Sequence, residues 1–334
     1  MGIHKQTDEM PFDFQVAVSR NLGWVTSEEQ AKIASLHVGI IGLGGVGGQY
    51  AEILTRLGVT RFTICDPDYF SVENFNRQNE CRVTNYGKNK AQVIAQLIKD
   101  INPQATVHVI EGALTQGQVQ EFCGAIDIYL DGLDFFVLEL RTQIFREMRR
   151  LGKTAITAAP LGTGSACLVF TKDSMSFDDY FGLHRTEDDN ARSQMFLLGL
   201  APSIMQVKYL RDVSQVNLGA RRGPSTPMGV YSCASMVATT IMKLALDRGQ
   251  VLAAPWCVHY DPYLLKIKKT YVWWGYKNPL QRLKLKLIQW VLSRRQSAKG
   301  LPRSLWRQLA NNGFKSQSGQ PERALLTGRR EDIP

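Results

Sequence analysis

The sequence predicts an α/β fold: a mostly parallel sheet with helices on both faces and antiparallel strands at its C-terminal end. Three observations carry this. Short β-branched runs alternate with helical stretches, the first run breaks at a glycine-rich turn, and an acid closes the second run. In order, helical spacing over residues 26–36 starts at Thr26 or Ser27 as N-cap, with Glu28 and Glu29 in the first turn. Residues 38–41 form the first strand run, residues 42–48 (GLGGVGG) the turn, and a helix follows to Leu57. The second run, 62–65, ends at Asp66, and Gly87 is expected to open a helix burying Ala91, Ile94, Ala95, Leu97 and Ile98. Further strand runs at 106–110, 126–130 and 154–158 are separated by helical stretches near 116–122 and 137–151. From Ala166 the pattern changes to an apolar run, a long mixed stretch over 171–227, an apolar helix over 228–246, and an alternating segment, CVHYDPYLLKIKKTYVWW, that reads as a terminal hairpin.

At 334 residues and 44% hydrophobic, the chain is long enough for one large core or a core with an appendage. Of 40 Lys/Arg and 30 Asp/Glu, residues 279–334 hold twelve and three, leaving 28 against 27, so the net charge of +10 belongs to the tail. That tail divides into a short basic helix, NPLQRLKLKLIQWVLSRR, and a polar Gly/Ser-rich stretch from Gln296 expected to be disordered. A basic helix of this kind suits an acidic partner, RNA or a membrane surface, or simply docks with a solvated basic face. The six cysteines are never closer than sixteen residues, which excludes a CxxC zinc knuckle. Reduced, buried core cysteines are expected, and Cys233 reads as a helix-packing residue rather than a nucleophile. His184, alone in an acidic loop, reads as exposed. The start, MGIHKQTDEM, has no apolar leader core, and no eighteen uninterrupted apolar residues occur, so a cytoplasmic protein without a transmembrane segment is expected.

Strand, glycine turn, helix, strand, acid is the pattern of a nucleotide site: the glycines let backbone pass close to phosphates, whose charge sits on the N–H groups opening the helix. Asp66 is placed to accept from ribose hydroxyls. A bare glycine turn equally permits tight strand–helix packing. What decides between these is the rest of the set. Arg77 follows eleven residues after Asp66 on a polar loop, Lys90 thirteen further, and Asp134 closes the fourth apolar run. Two cations converging on a glycine turn, with a carboxylate suited to Mg²⁺, describe a triphosphate held for attack. Lys90 at a helix start opposes the helix dipole, which points to a ligand role rather than a surface one.

At these residues the sequence resembles the ThiF/MoeB/HesA family, relatives of the ubiquitin-activating enzymes, over about residues 20–271. The resemblance implies a Rossmann-like ThiF-type fold and an adenylyltransferase: an ATP-binding adenylation domain over 1–278, a crossover near 171–227, and a homodimer. It implies Gly42, Gly44, Gly45 and Gly47 in the phosphate turn and Asp66 on the ribose. Asn74, Arg77, Gln78 and Lys90 would line the triphosphate, and Asp134 would be the Mg²⁺ acid. Arg20 would reach into the neighbouring subunit's site. The family pattern departs here at Phe135, which replaces an Asn, and at Arg141, seven residues after Asp134. Asp131 or Asp134 is therefore placed to hold the metal, and an acid ending a strand also caps a following helix. No cysteine lies between Cys167 and Cys233, which gives no support to a thioester step, and zinc is not expected.

The expected reaction is ATP-dependent adenylation of a carboxylate, most readily the C-terminal Gly-Gly of a ubiquitin-like or sulfur-carrier protein. Three rivals stand beside it. A tRNA threonylcarbamoyl-adenosine dehydratase would share the framework and the Asn74-Phe75-Asn76-Arg77-Gln78 motif, and the basic tail would suit RNA; a peptide or small-molecule acid is a further variant. An NAD- or FAD-dependent oxidoreductase would leave Arg77, Lys90 and Asp134 unexplained. A carrier-binding pseudoenzyme would have only Phe135 and the spacing to Arg141 in its favour.

Overall fold

The computed structural model describes residues 11–212, 215–216 and 223–297. Helices α1 (Phe14–Ala17) and α2 (Ser27–Ser35) precede strand β1 (His37–Ile41), helix α3 (Gly45–Leu57) and β2 (Arg61–Cys65). Then come α4 (Lys90–Ile101), β3 (Thr106–Ile110), α5 (Val119–Ala125), β4 (Ile128–Asp131), α6 (Leu138–Arg150), β5 (Thr154–Leu161) and β6 (Gly164–Phe170). Helices α7 (Phe177–Phe181), α8 (Asp189–Leu200) and α9 (Pro227–Ala245), strands β7 (Trp256–Asp261) and β8 (Lys266–Tyr271), and helix α10 (Pro279–Ser297) complete the described chain. By internal packing, Met1–Trp290 form one unit and Val291–Pro334 another.

The sheet order is β3-β2-β1-β4-β5-β6-β7-β8. Pairing is parallel from β3 to β5 and antiparallel from β5 to β8, the mostly parallel sheet with an antiparallel C-terminal end that the sequence predicts. Alternate strand residues feed two cores, as a period of two requires. Ile40, Ile64 and Leu130 face α2, α3, α4 and α9, while Ile41, Cys65 and Tyr129 face α5, α6, α7 and α8. All six cysteines are free and buried, Cys233 among them on α9. Helix α9 has the length and hydropathy of a membrane span, yet here it packs on α3, β5 and β6 and buries Cys233, Val237 and Ile241 in the core.

Three local expectations need correction. Helix α4 opens at Lys90, capped by the Asn89 side chain, because Gly87 sits at φ +77° in the preceding turn. Strand β4 begins at Ile128 rather than 126, since Ile126 terminates α5, and it ends at Asp131, not Asp134. Strand β5 runs on to Leu161, where it turns directly into β6. Thr26, not Ser27, caps α2, in a reciprocal box with Glu29. The terminal hairpin forms as expected from β7 and β8. The expected disorder from Gln296 concerns residues that, beyond Ser297, lie outside those described.

Candidate nucleotide site

The glycine turn sits where β1 hands over to α3, at the carboxyl ends of the parallel strands. Its shape depends on two backbone approaches that only glycine permits. A β-carbon on Gly47 would overlap the Gly42 carbonyl, and one on Gly42, itself at φ +84°, would overlap Gly132. Helix α3 starts at Gly45 with Gly44 as its N-cap and no side chain capping it. Its first N–H groups and the positive end of its dipole are therefore left without a side-chain acceptor, as an anion site requires.

Asp66 closes the turn from β2. Its carboxylate accepts from the Leu43 N–H at 2.6 Å and from the Asp68 N–H at 2.8 Å. Burial pushes its pKa up, and the Lys90 charge beside it pulls the other way. Lys90 is buried at the first position of α4, and its ammonium reaches the exposed Asp68 carboxylate at 3.1 Å. This is the cation that the helix dipole disfavours, held in place by Asp68. Arg77 packs against Gly45 and donates to the Glu73 carbonyl and the Asn76 side chain, each at 3.1 Å. Burial raises the pKa of the Cys81 thiol, and the charges of Arg77 and Lys90 lower it.

Gln78 lies over Gly44 with its amide nitrogen nearest the turn, so a donor faces it, while the buried Oε1 of the same side chain has no hydrogen-bond partner. Asn74 shapes the loop, its carbonyl oxygen accepting from the N–H and hydroxyl of Ser71. Asn76 ties the same loop to the segment leading into α9 by donating to the Ser225 carbonyl at 3.0 Å.

The two acids after β4 part company. Asp131 is buried and bound to Arg141 at 2.7 Å, with the Tyr129 hydroxyl and the Leu133 N–H also donating to it. Arg141, itself buried, also donates to the carbonyls of Leu133, Asp134, Phe135 and Val137. The unusual spacing to Arg141 thus has a function: one guanidinium closes the 133–137 loop and neutralises Asp131. Asp131 is thus a buried anion whose charge is already paired, and of the two acids Asp134 is the one left open. Asp134 is exposed, its carboxylate accepting from the Phe136 N–H at 3.0 Å, and it lies two residues from Gly132, which abuts Gly42.

Arg20 stands apart. It is exposed in a turn at Ser19–Asn21, and neighbouring Asn21 donates to the carbonyl of Leu57 at the far end of α3. A thirteen-residue helix puts that end about 20 Å from the glycine turn. Within its own chain Arg20 does not reach the phosphates.

The residues fit a nucleoside triphosphate: an uncapped helix start, glycines against which phosphates can pack, two cations, and a carboxylate at the end of the neighbouring strand. They fit Mg²⁺ only through Asp134, and among the described residues no cluster of three His, Cys, Asp or Glu could hold a metal. A single carboxylate is enough for a cation that takes its other ligands from phosphate and water. A cavity of about 360 Å³ lies elsewhere, between α6 and α7, where Asp178 already pairs with Arg146.

Sequence reasoning missed Asp68 and Cys81. Asp68 was legible, two residues beyond Asp66; Cys81 depends on loop closure that no local pattern reports.

The chain is 32% identical over 110 residues to the tRNA threonylcarbamoyladenosine dehydratase of Haemophilus influenzae, covering 33% of this chain and 42% of that protein. It is 28% identical over 147 residues to the sulfur carrier protein ThiS adenylyltransferase of Escherichia coli, covering 44% of this chain and 58% of that one. The matched segments thus span less than half the length of the tRNA dehydratases. The crystal structure of E. coli MccB with ATP superposes with a TM-score of 0.56 at 19% identity, over 73% of this chain and 66% of that chain, a likeness of fold alone. The ThiF family pattern matches residues 18–274, from the turn that carries Arg20 to the end of the β7–β8 hairpin. With the glycine turn, Arg77, Lys90 and the whole eight-stranded sheet inside that match, the chain belongs to the ThiF family.

Proposed function

We propose that this protein adenylates a carboxylate at the expense of ATP. The observation that carries the reading is an uncapped helix start with Arg77 packed against Gly45 on one side and, on the other, Asp66 bound to the Leu43 N–H and followed by the Asp68 that holds Lys90. The α3 N–H groups and the two cations would hold the phosphates, and Asp66 would take the ribose hydroxyls. The substrate carboxylate, already ionised at neutral pH, attacks the α-phosphorus without a general base. Catalysis then rests on holding the two reactants in line and on charge stabilisation by Arg77 and Lys90 as pyrophosphate leaves. Asp134 would hold Mg²⁺, which when bound supplies charge neutralisation on the phosphate oxygens. Arg20 would act on the phosphates of a second subunit, in a homodimer working in the cytoplasm.

A carrier protein ending in Gly-Gly is the substrate in the first reading, supported by the likeness to the ThiS adenylyltransferase. A tRNA-borne carboxylate is the second, favoured by the higher identity to the tRNA dehydratases. ATP–pyrophosphate exchange dependent on an added carboxylate tests the chemistry. Arg77→Ala is expected to lower exchange by about a hundredfold or more; full exchange in that variant would end the proposal. Exchange with a Gly-Gly carrier but not with modified tRNA selects between the substrates.

A further inference from the structure

The start of α10 exposes an apolar face that the fold leaves uncovered. Leu280, Leu283 and Leu287 are 54, 65 and 41% exposed. At about 100° per residue they fall within one narrow stripe of the helix, and the exposed Arg282 and Lys286 border it on one side. The opposite side is the docked one: Gln281 and Leu285 line a cleft with Tyr180, Phe181 and Leu198, Asn278 caps the helix from a buried position, and Lys284, next to the stripe, donates to the Pro202 carbonyl at 2.6 Å. Just before the helix, Trp274 adopts φ +60° and projects its ring 67% exposed, with Lys277 beside it. A bulky residue in the left-handed region that ends up in solvent is held there at a cost.

We propose that this face is a docking surface for an anionic lipid bilayer. Leucines in one stripe, cations along its border and a tryptophan at its end are the elements of a helix that lies in the membrane interface. Charge selects the occupant. Residues 279–334 hold twelve Lys/Arg against three Asp/Glu, so the segment that carries this face is strongly cationic and favours an anionic occupant. A phosphodiester chain would satisfy the cations but leave three leucines and Trp274 in water. An anionic headgroup layer over acyl chains satisfies both. The helix would lie on the membrane, its leucines entering the acyl boundary, and the protein would be peripheral. Burial of the leucines and attraction of the cations act together, so binding has both a salt-sensitive and a salt-resistant part.

Sedimentation of the full-length protein with vesicles tests this, using equimolar phosphatidylglycerol and phosphatidylcholine, and phosphatidylcholine alone. The protein is expected to sediment with the anionic vesicles and not with the neutral ones. Replacing Leu280, Leu283 and Leu287 together by Glu should weaken partitioning by roughly a hundredfold, while the thermal midpoint holds because all three side chains already face water. Arg282→Glu with Lys286→Glu, a second exposed pair, should weaken the anionic-vesicle binding and flatten its salt dependence. Absence of sedimentation with anionic vesicles at low salt would overturn the proposal. So would undiminished sedimentation of the leucine variant, or retention of the protein by tRNA with no vesicle binding.

Discussion

His259 shows how far a single side chain can be set by its surroundings. It is buried on β7, its Nδ1 lies 2.8 Å from the Ser203 hydroxyl, and its Nε2 has no partner. Burial pushes its pKa down to about 4 from an ordinary 6.5, against the opposing pull of Asp261. The folded protein thus keeps it neutral where the unfolded chain takes up a proton. Its stabilisation is complete above pH 6.5 and is lost as pH falls towards 4, amounting to about 3 kcal/mol across that window. Urea unfolding at stepped pH should show this loss in the wild type and a shallower slope in His259→Gln. Equal slopes would remove the histidine as the cause. None of this was legible: a lone histidine in an alternating strand carries no sign of whether it faces core or water. Arg141 teaches the same lesson from the other side. Its distance from Asp134 looked like a defect in the family pattern, and only the fold shows that its partner is Asp131.

At the scale of the element, the glycine turn was legible because the constraint is local. Gly42 needs a positive φ, Gly47 must admit the Gly42 carbonyl, and no other residue does either. Gly47→Ala should cost about 1–3 kcal/mol in denaturant unfolding, since backbone and not a flexible side chain must move, and nucleotide binding measured by calorimetry should be lost. An alanine variant with unchanged stability and affinity would show that the turn has room. The boundaries that failed, at α4 and β4, failed for an equally physical reason. Asn89 wins the cap at α4 because its side chain reaches the Gln92 N–H, while Ile126 is apolar enough to read as strand yet serves to end α5.

For the whole molecule, the question is whether one chain suffices. With Arg20 at the far end of α3 from the phosphate turn, any role for it on ATP requires a second copy. That arrangement has a direct test. Arg20→Ala and Arg77→Ala, each expected to be inactive alone, should recover activity when co-refolded, because a mixed dimer has one site with both arginines intact. Random pairing places the recovery at about a quarter of wild type in the exchange assay. No recovery would leave Arg20 without a part in the reaction.

The sequence by itself determined the sheet, its helices on both faces, the phosphate turn and the two cations, since hydrophobic period and glycine stereochemistry act over a few residues. Only the tertiary structure decided which of two acids stays exposed, that Lys90 is buried with its ammonium on Asp68, and which side of α10 faces water. Each of those depends on groups far apart in the chain competing for the same buried charge or surface, and the winner is fixed by packing, not by spacing.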